Sequence, residues 1–90
     1  MILYIKEVTI LTIGEAVKIR IEELCNHHGI TINKLANICG ITQSTLSNIM
    51  SGRNNSTTIS TIKKICDGLC ISIHDFFSSD IFSDLEQEIK

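Results

Sequence analysis

The sequence predicts a small all-α domain: five helices, an extended N-terminal segment before them and a short acidic tail after them. Three observations carry that prediction. The chain has no proline and only five glycines in 90 residues, which disfavours a turn-rich β architecture. Apolar residues recur at helical spacing from residue 14 onward. Most of those runs begin after Thr or Ser, and several end at Gly, the residues that start and stop helices. At 43% hydrophobic and 20% charged, the composition is that of a folded domain rather than a disordered chain.

The elements follow in order. Residues 2–13, ILYIKEVTILTI, are β-branched and apolar, which reads as an extended segment that packs on the helices or pairs with another copy. From Gly14, Val17, Ile21, Leu24, Cys25 and His28 lie on one helical face, and Gly29 is the stop. His28, on that face, is expected to be a partly buried structural histidine. Thr31 caps a second helix with Leu35, Ala36, Ile38 and Cys39 apolar, ended by Gly40. Thr42 caps a third, with Leu46, Ile49 and Met50 inward and Gly52 as its stop. After the polar loop GRNNSTT, Thr58 caps a fourth helix with Ile59, Ile62, Ile65, Cys66 and Leu69 inward. Ser72 and Asp75 form a capping box for a short fifth helix carrying Phe76 and Phe77. Ile81, Phe82 and Leu85 suggest one more weak helix in the tail. The domain boundaries that result are 1–13, 14–78 and 79–90.

Composition removes several function classes. The aromatic residues Tyr4, Phe76, Phe77 and Phe82 are too few and too scattered for a base-stacking platform. Cys25, Cys39, Cys66 and Cys70 lack the two-residue spacing of zinc or redox motifs, and each reads as a buried thiol at an apolar helix position. His27, His28 and His74 have no convergent carboxylate or nucleophile, so no catalytic residue, metal ligand or cofactor site is expected, and the chain does not read as an enzyme. The N-terminal apolar run has no basic leader, contains Lys6 and Glu7, and is too short to span a bilayer. A cytoplasmic protein without a membrane partner is the expectation.

The net charge of −2 by itself argues against a nucleic-acid partner, but the charge is unevenly placed. No acidic residue lies between Glu23 and Asp67, a window holding Lys34, Arg53, Lys63 and Lys64. The last eleven residues hold Asp80, Asp84, Glu86 and Glu88 against Lys90 alone.

The second and third helices are joined by CGIT, a short glycine-containing turn of the helix-turn-helix kind. Ala36 is small where the helices must approach, and Gly40 suits a turn of positive φ. On the outward side of helix three, Gln43, Ser44, Ser47 and Asn48 share one face. These are amides and hydroxyls rather than the Glu–Lys pairs of an idle solvated face. Gln and Asn bond adenine bidentately, and Ser and Thr bond bases or phosphates. Arg53, Asn54, Ser56, Thr57 and Thr58 place cationic, amide and hydroxyl groups beside a helix N-terminus, which suits phosphate oxygens. Lys34 is placed to reach the backbone from helix two, whereas Lys63 and Lys64 read as a solvated face.

At this point a family resemblance is plain. TINKLANICGITQSTLSNIMSGRN, followed by TISTIKKICDGLCISIHDFF, resembles the Xre/Cro-type helix-turn-helix domain of bacterial and phage repressors over residues 14–78. The resemblance implies a five-helix repressor-like domain, usually dimeric on a two-fold operator. It implies that helix three enters the major groove, with base contacts from Gln43, Ser44, Ser47 and Asn48 and with Thr45 near the backbone. Phosphate contacts are implied for the start of helix two and for Arg53 and Asn54. One position departs from the pattern: many members place glutamine first in helix two, and here that residue is Ile32.

The expected function is therefore a sequence-specific double-stranded DNA-binding transcriptional regulator, a repressor acting as a homodimer in a bacterial or phage setting. Phe76, Phe77, Tyr4 and Ile5 are the expected dimer contacts. The alternative is an antitoxin or anti-activator on the same fold, whose main partner is another protein. The apolar start and acidic tail would then be its docking segments.

Overall fold

The computed structural model describes residues 10–52 and 56–89. Its helices are α1 (Ile13–His28), α2 (Ile32–Cys39), α3 (Gln43–Met50), α4 (Ile59–Leu69) and α5 (Ile73–Phe76), followed by a 3-10 turn at Asp80–Phe82. Among the described residues there is no strand, and the all-α reading holds. The caps predicted at Thr31, Thr42, Thr58 and Ser72 are all present, each side chain accepting a backbone N–H three residues on. Gly29 and Gly40 end α1 and α2 in the left-handed region, at φ 67° and 68°.

The chain departs from the sequence expectations at both ends. Ile13, read as the end of an extended segment, is the first residue of α1. Thr12 caps it: its hydroxyl accepts from Glu15 N at 3.1 Å, and its own N–H donates to Glu15 Oε1 at 2.9 Å. Residues 10–12 are not helical, and Leu11 forms an isolated parallel bridge with Leu85. Glu86 N donates to Leu11 O at 2.9 Å, so the start and end of the described chain lie side by side. The tail helix expected from Ile81 to Leu85 is limited to the 3-10 turn, whose Phe82 reaches back to the core.

One hydrophobic core joins all five helices, with Ile21, Leu35, Leu46, Ile65, Cys66 and Phe76 its largest fully buried side chains. α2 lies against α4, with Gly68 facing Cys39 and Ile38. A Cβ there would collide with Cys39 Sγ and stand 3.3 Å from Cys39 Cα, so only glycine lets the two backbones meet. Arg20 of α1 ties down α5. Its Nε donates to Phe76 O at 2.7 Å, Nη2 to Asp75 O at 2.8 Å and Nη1 to Glu23 at 3.2 Å. The first two are charge-assisted bonds to carbonyls at the end of α5, where Asp75 O also accepts from Ser78 N and Ser78 Oγ.

Four apolar or near-apolar assignments change. Ile59 is 64% exposed and Ile38 42% exposed, although both fall in helical apolar runs. Ile59 stands at the open rim of a groove shared with Ile13, Val17 and Phe77, and Ile38 lies at the edge of the contact with Gly68 of α4, so neither side chain is covered. Cys70 is exposed rather than buried, because it sits beyond the last turn of α4 as a left-handed cap at φ 60°. His28 is exposed, with Nδ1 2.9 Å from Leu24 O, at the last residue of α1. Cys25, Cys39 and Cys66 are buried as expected. Burial pushes all three thiols up from the ordinary range, with Glu22, the neighbouring cysteines and Asp67 adding to the shift.

Candidate nucleic-acid interface

The interface is built outward from the turn between α2 and α3. Gly40 takes the positive φ, and Ile41 N bonds back to Ala36 O at 3.1 Å. Ile41 is buried, which turns Thr42 to the surface to cap α3. Leu46, 1% exposed, and Ile49 hold α3 to the core from below, and Met50 is half-buried beside them. Those anchors leave Gln43, Ser44, Ser47 and Asn48 exposed on the opposite side, as one surface. Thr45 is half-buried at its flank.

α3 ends at Ser51, whose hydroxyl donates to Asn48 O at 2.8 Å. Gly52 follows at φ 75°, packed so closely on α1 that a Cβ would lie 3.3 Å from the Lys18 side chain. The loop therefore leaves α3 directly against the first helix. Arg53 and Asn54 lie outside the described residues. Where description resumes, Ser56 and Thr58 are exposed and Thr57 is half-buried. Thr58 accepts Thr61 N at 3.1 Å to cap α4. Lys34 is exposed on α2. Lys63, expected on a solvated face, is exposed and paired with Asp67, which raises its pKa by hydrogen bond and charge.

The helix N-termini separate into two kinds. α1 and α5 carry an acid in the first turn, Glu15 and Asp75. α2, α3 and α4 carry none, and each is capped by an uncharged threonine. An acid in the first turn stabilises a helix against its dipole, and it also occupies the place where an external anion is attracted. The three helices that lack it are the ones in the acid-free window.

The position that departs from the family pattern also has a physical role. Ile32 is half-buried and packs against the core, so the first residue of α2 serves packing rather than a polar contact.

The expected dimer residues separate. Phe76 is 0% exposed, stacked edge-on with Phe77 at 4.9 Å and lying 6.2 Å from Phe82. It is a core residue with no surface to offer another copy, because Arg20 folds α5 back onto α1. Phe77 is half-buried and, with Ile13, Val17, Thr57, Ile59 and Ile62, lines an open apolar groove of about 200 Å³. Tyr4 and Ile5 lie outside the described residues. Among the described residues, no three His, Cys, Asp or Glu are placed to hold a metal ion, and no helix is long and apolar enough to cross a membrane.

Sequence reasoning missed the Thr12–Glu15 box, Arg20 and Gly68. The box had a visible signal, Thr-x-x-Glu ahead of an apolar run, hidden within a β-branched stretch. The tie from Arg20 to α5 had none, since the two carbonyls it reaches are more than fifty residues away.

Comparison with known proteins agrees with this geometry. The family model of the Cro/C1-type HTH DNA-binding domain matches residues 8–80. Among solved structures, the crystal structure of the prophage Lp1 protein 11 is similar, with 38% sequence identity and a TM-score of 0.75. That match covers 84% of this chain and 100% of the prophage chain. No curated protein matches.

Proposed function

The chain belongs to the Cro/C1-type HTH DNA-binding domain family, and from that premise we propose that this DNA-binding regulator is a sequence-specific repressor that acts as a homodimer. The observation that carries the reading is the outer face of α3. Four exposed hydrogen-bonding side chains, Gln43, Ser44, Ser47 and Asn48, stand on a helix whose other side is locked by Leu46 and Ile49. In this reading α3 lies in the major groove. Gln43 and Asn48 read base edges as bidentate amides, and Ser44 and Ser47 add single bonds. Thr45, Lys34, Arg53, Asn54, Thr57 and Thr58 take the phosphates and set register.

Dimerisation is the second part of the reading. One module carries few base-reading groups, each good pair discriminating by about 1–3 kcal/mol. Two copies on half-sites about one helical turn apart would roughly double that discrimination. The groove beside Ile59 and Phe77 is the surface that supports a second copy. It is apolar, open, and reached from the end of α3 by one loop.

Selection of bound sites from random duplex DNA, followed by fluorescence-anisotropy titration at two salt concentrations, tests the whole. Enrichment of a two-fold sequence, with affinity falling as salt rises, is the expected result. Asn48→Ala should change the preferred base at one position per half-site while leaving the fold intact. Absence of affinity for any duplex would sink the proposal. Recovery of a stoichiometric protein partner in its place would turn the reading to the antitoxin or anti-activator alternative.

A further inference from the structure

A small clasp ties the acidic tail to the rim of the candidate interface. Leu11 and Leu85 form a parallel bridge, and Glu86 N donates to Leu11 O at 2.9 Å. Backbones paired in this way lie about 4.8 Å apart. On its other side Leu11 shares a small hollow with Glu15, Lys18, Ser51 and Gly52, so it stands against the end of α3. The order across this surface is tail, Leu11, end of α3. The clasp has no room to grow into a sheet, because α1 begins at Ile13 and the 3-10 turn runs to Phe82. The tail is therefore placed without being locked. Asp84, Glu86 and Glu88 are all exposed on it, and no ion pair among the described residues engages Asp84 or Glu88. From residue 65 to residue 89 the sequence holds no lysine or arginine to offset them. Lys18, the cation in the hollow, is paired with Glu22 at 3.7 Å.

We propose that Asp84, Glu86 and Glu88 are an intramolecular electrostatic brake on duplex binding, positioned beside the end of α3 by the Leu11–Leu85 clasp. This rests on the DNA-binding reading above, and it gives the tail a role opposite to that of a contact. One strand spacing and one side chain separate the tail from Gly52. That separation is on the scale of the Debye length, about 10 Å at 0.1 M salt, so the carboxylates and a duplex docked on α3 are not screened from each other. Like charges held at that rim repel the phosphates. Phosphate attraction supplies the sequence-independent part of the affinity, and base edges supply the rest. The brake opposes the first part alone, so a duplex is held only when base contacts add to it. The uneven charge of the chain then has one purpose in two places. An acid-free window receives the duplex, and an acidic strip beside it weakens every encounter.

The test compares the full chain with a neutral-tail variant, Asp84→Asn with Glu86→Gln and Glu88→Gln, and with the single variants Glu86→Gln and Glu86→Pro. Affinity is read by fluorescence anisotropy on the selected duplex and on an unrelated one, at about 0.1 M and about 0.3 M salt, with melting temperatures checked. The neutral tail should bind both duplexes about tenfold tighter at the lower salt and at most about twofold tighter at the higher. Preference between the duplexes and the melting temperature should not change. Glu86→Gln removes one charge and keeps the clasp. Glu86→Pro removes the same charge together with the N–H that Leu11 O accepts. The proline variant should gain more affinity than the glutamine variant, because it also frees Asp84 and Glu88 from the rim. Equal gains by the two overturn the placement by the clasp. Unchanged affinity of the neutral tail at the lower salt, or a gain that persists in full at the higher, overturns the brake while leaving DNA binding standing. If the unaltered chain and the neutral tail both bind no duplex, the DNA-binding reading falls and takes this one with it. Binding by the neutral tail alone upholds both.

Discussion

α1 and α5 form the supporting half of the molecule; α2, α3 and α4 form the half to which the proposed function assigns reading. The supporting helices start with reciprocal capping boxes, Thr12–Glu15 and Ser72–Asp75. They are joined by Arg20, whose guanidinium caps the carbonyls of Asp75 and Phe76. The reading helices start at bare threonine caps, and α3 is made of residues that form helices poorly. An acid in the first turn is worth about 0.3–1 kcal/mol, and the reading half does without it three times. In the proposed function, local stability is omitted where a phosphate is to be received. It is supplied instead by the core beneath and by the boxed helices beside.

The largest expected effect comes from removing what lets a weak helix stand. Leu46→Ala should cost about 2–5 kcal/mol in denaturant unfolding, because the residue is almost wholly buried under α3. A smaller loss would mean that α3 is held by something other than its inner face. The comparison itself is broken most directly by Ser44→Glu, which places an acid in the first turn of α3. Thermal unfolding should show stability unchanged or raised by about 0.5 kcal/mol, while duplex affinity falls at least about a hundredfold through repulsion of phosphate. Retained affinity would show that the acid-free N-termini are incidental.

Arg20→Ala works on the other half. It should lower stability by about 1–3 kcal/mol, since the carbonyls of Phe76 and Asp75, one part-buried and one exposed, lose a charged donor. The sequence preference of the folded fraction should stay as it was. A changed preference would mean that α5 and the reading face are coupled. The smallest effect is at the end of α4. α1 and α2 end on glycine in the left-handed region, but α4 ends on Cys70 at φ 60°. Cys70→Gly should raise stability by about 1 kcal/mol by relieving the Cβ clash. A loss would show that the exposed thiol makes a contact of its own.

The local grammar of the reading half was legible because it is written in short range. Threonine three residues before a bonded amide, glycine after the last apolar position, and Gln43, Ser44, Ser47 and Asn48 at helical offsets are all properties of neighbours in the chain. Thr12 was harder to see, because its capping pattern lies inside a β-branched run that reads as extended. Ile59 misled for the opposite reason. It keeps helical phase with Ile62 and Leu69, yet nothing described in the fold covers that end of the face.

By itself the sequence determined the helices, their caps, the turn at Gly40 and which side of α3 is polar, because each depends on residues within about one helical turn. Tertiary structure alone decided that Phe76 belongs to the core and Phe77 to its edge, that Arg20 closes α5, and that Gly68 of α4 faces Cys39 of α2. Those outcomes depend on which elements meet across tens of residues. Periodicity marks a face as apolar but does not say what covers it.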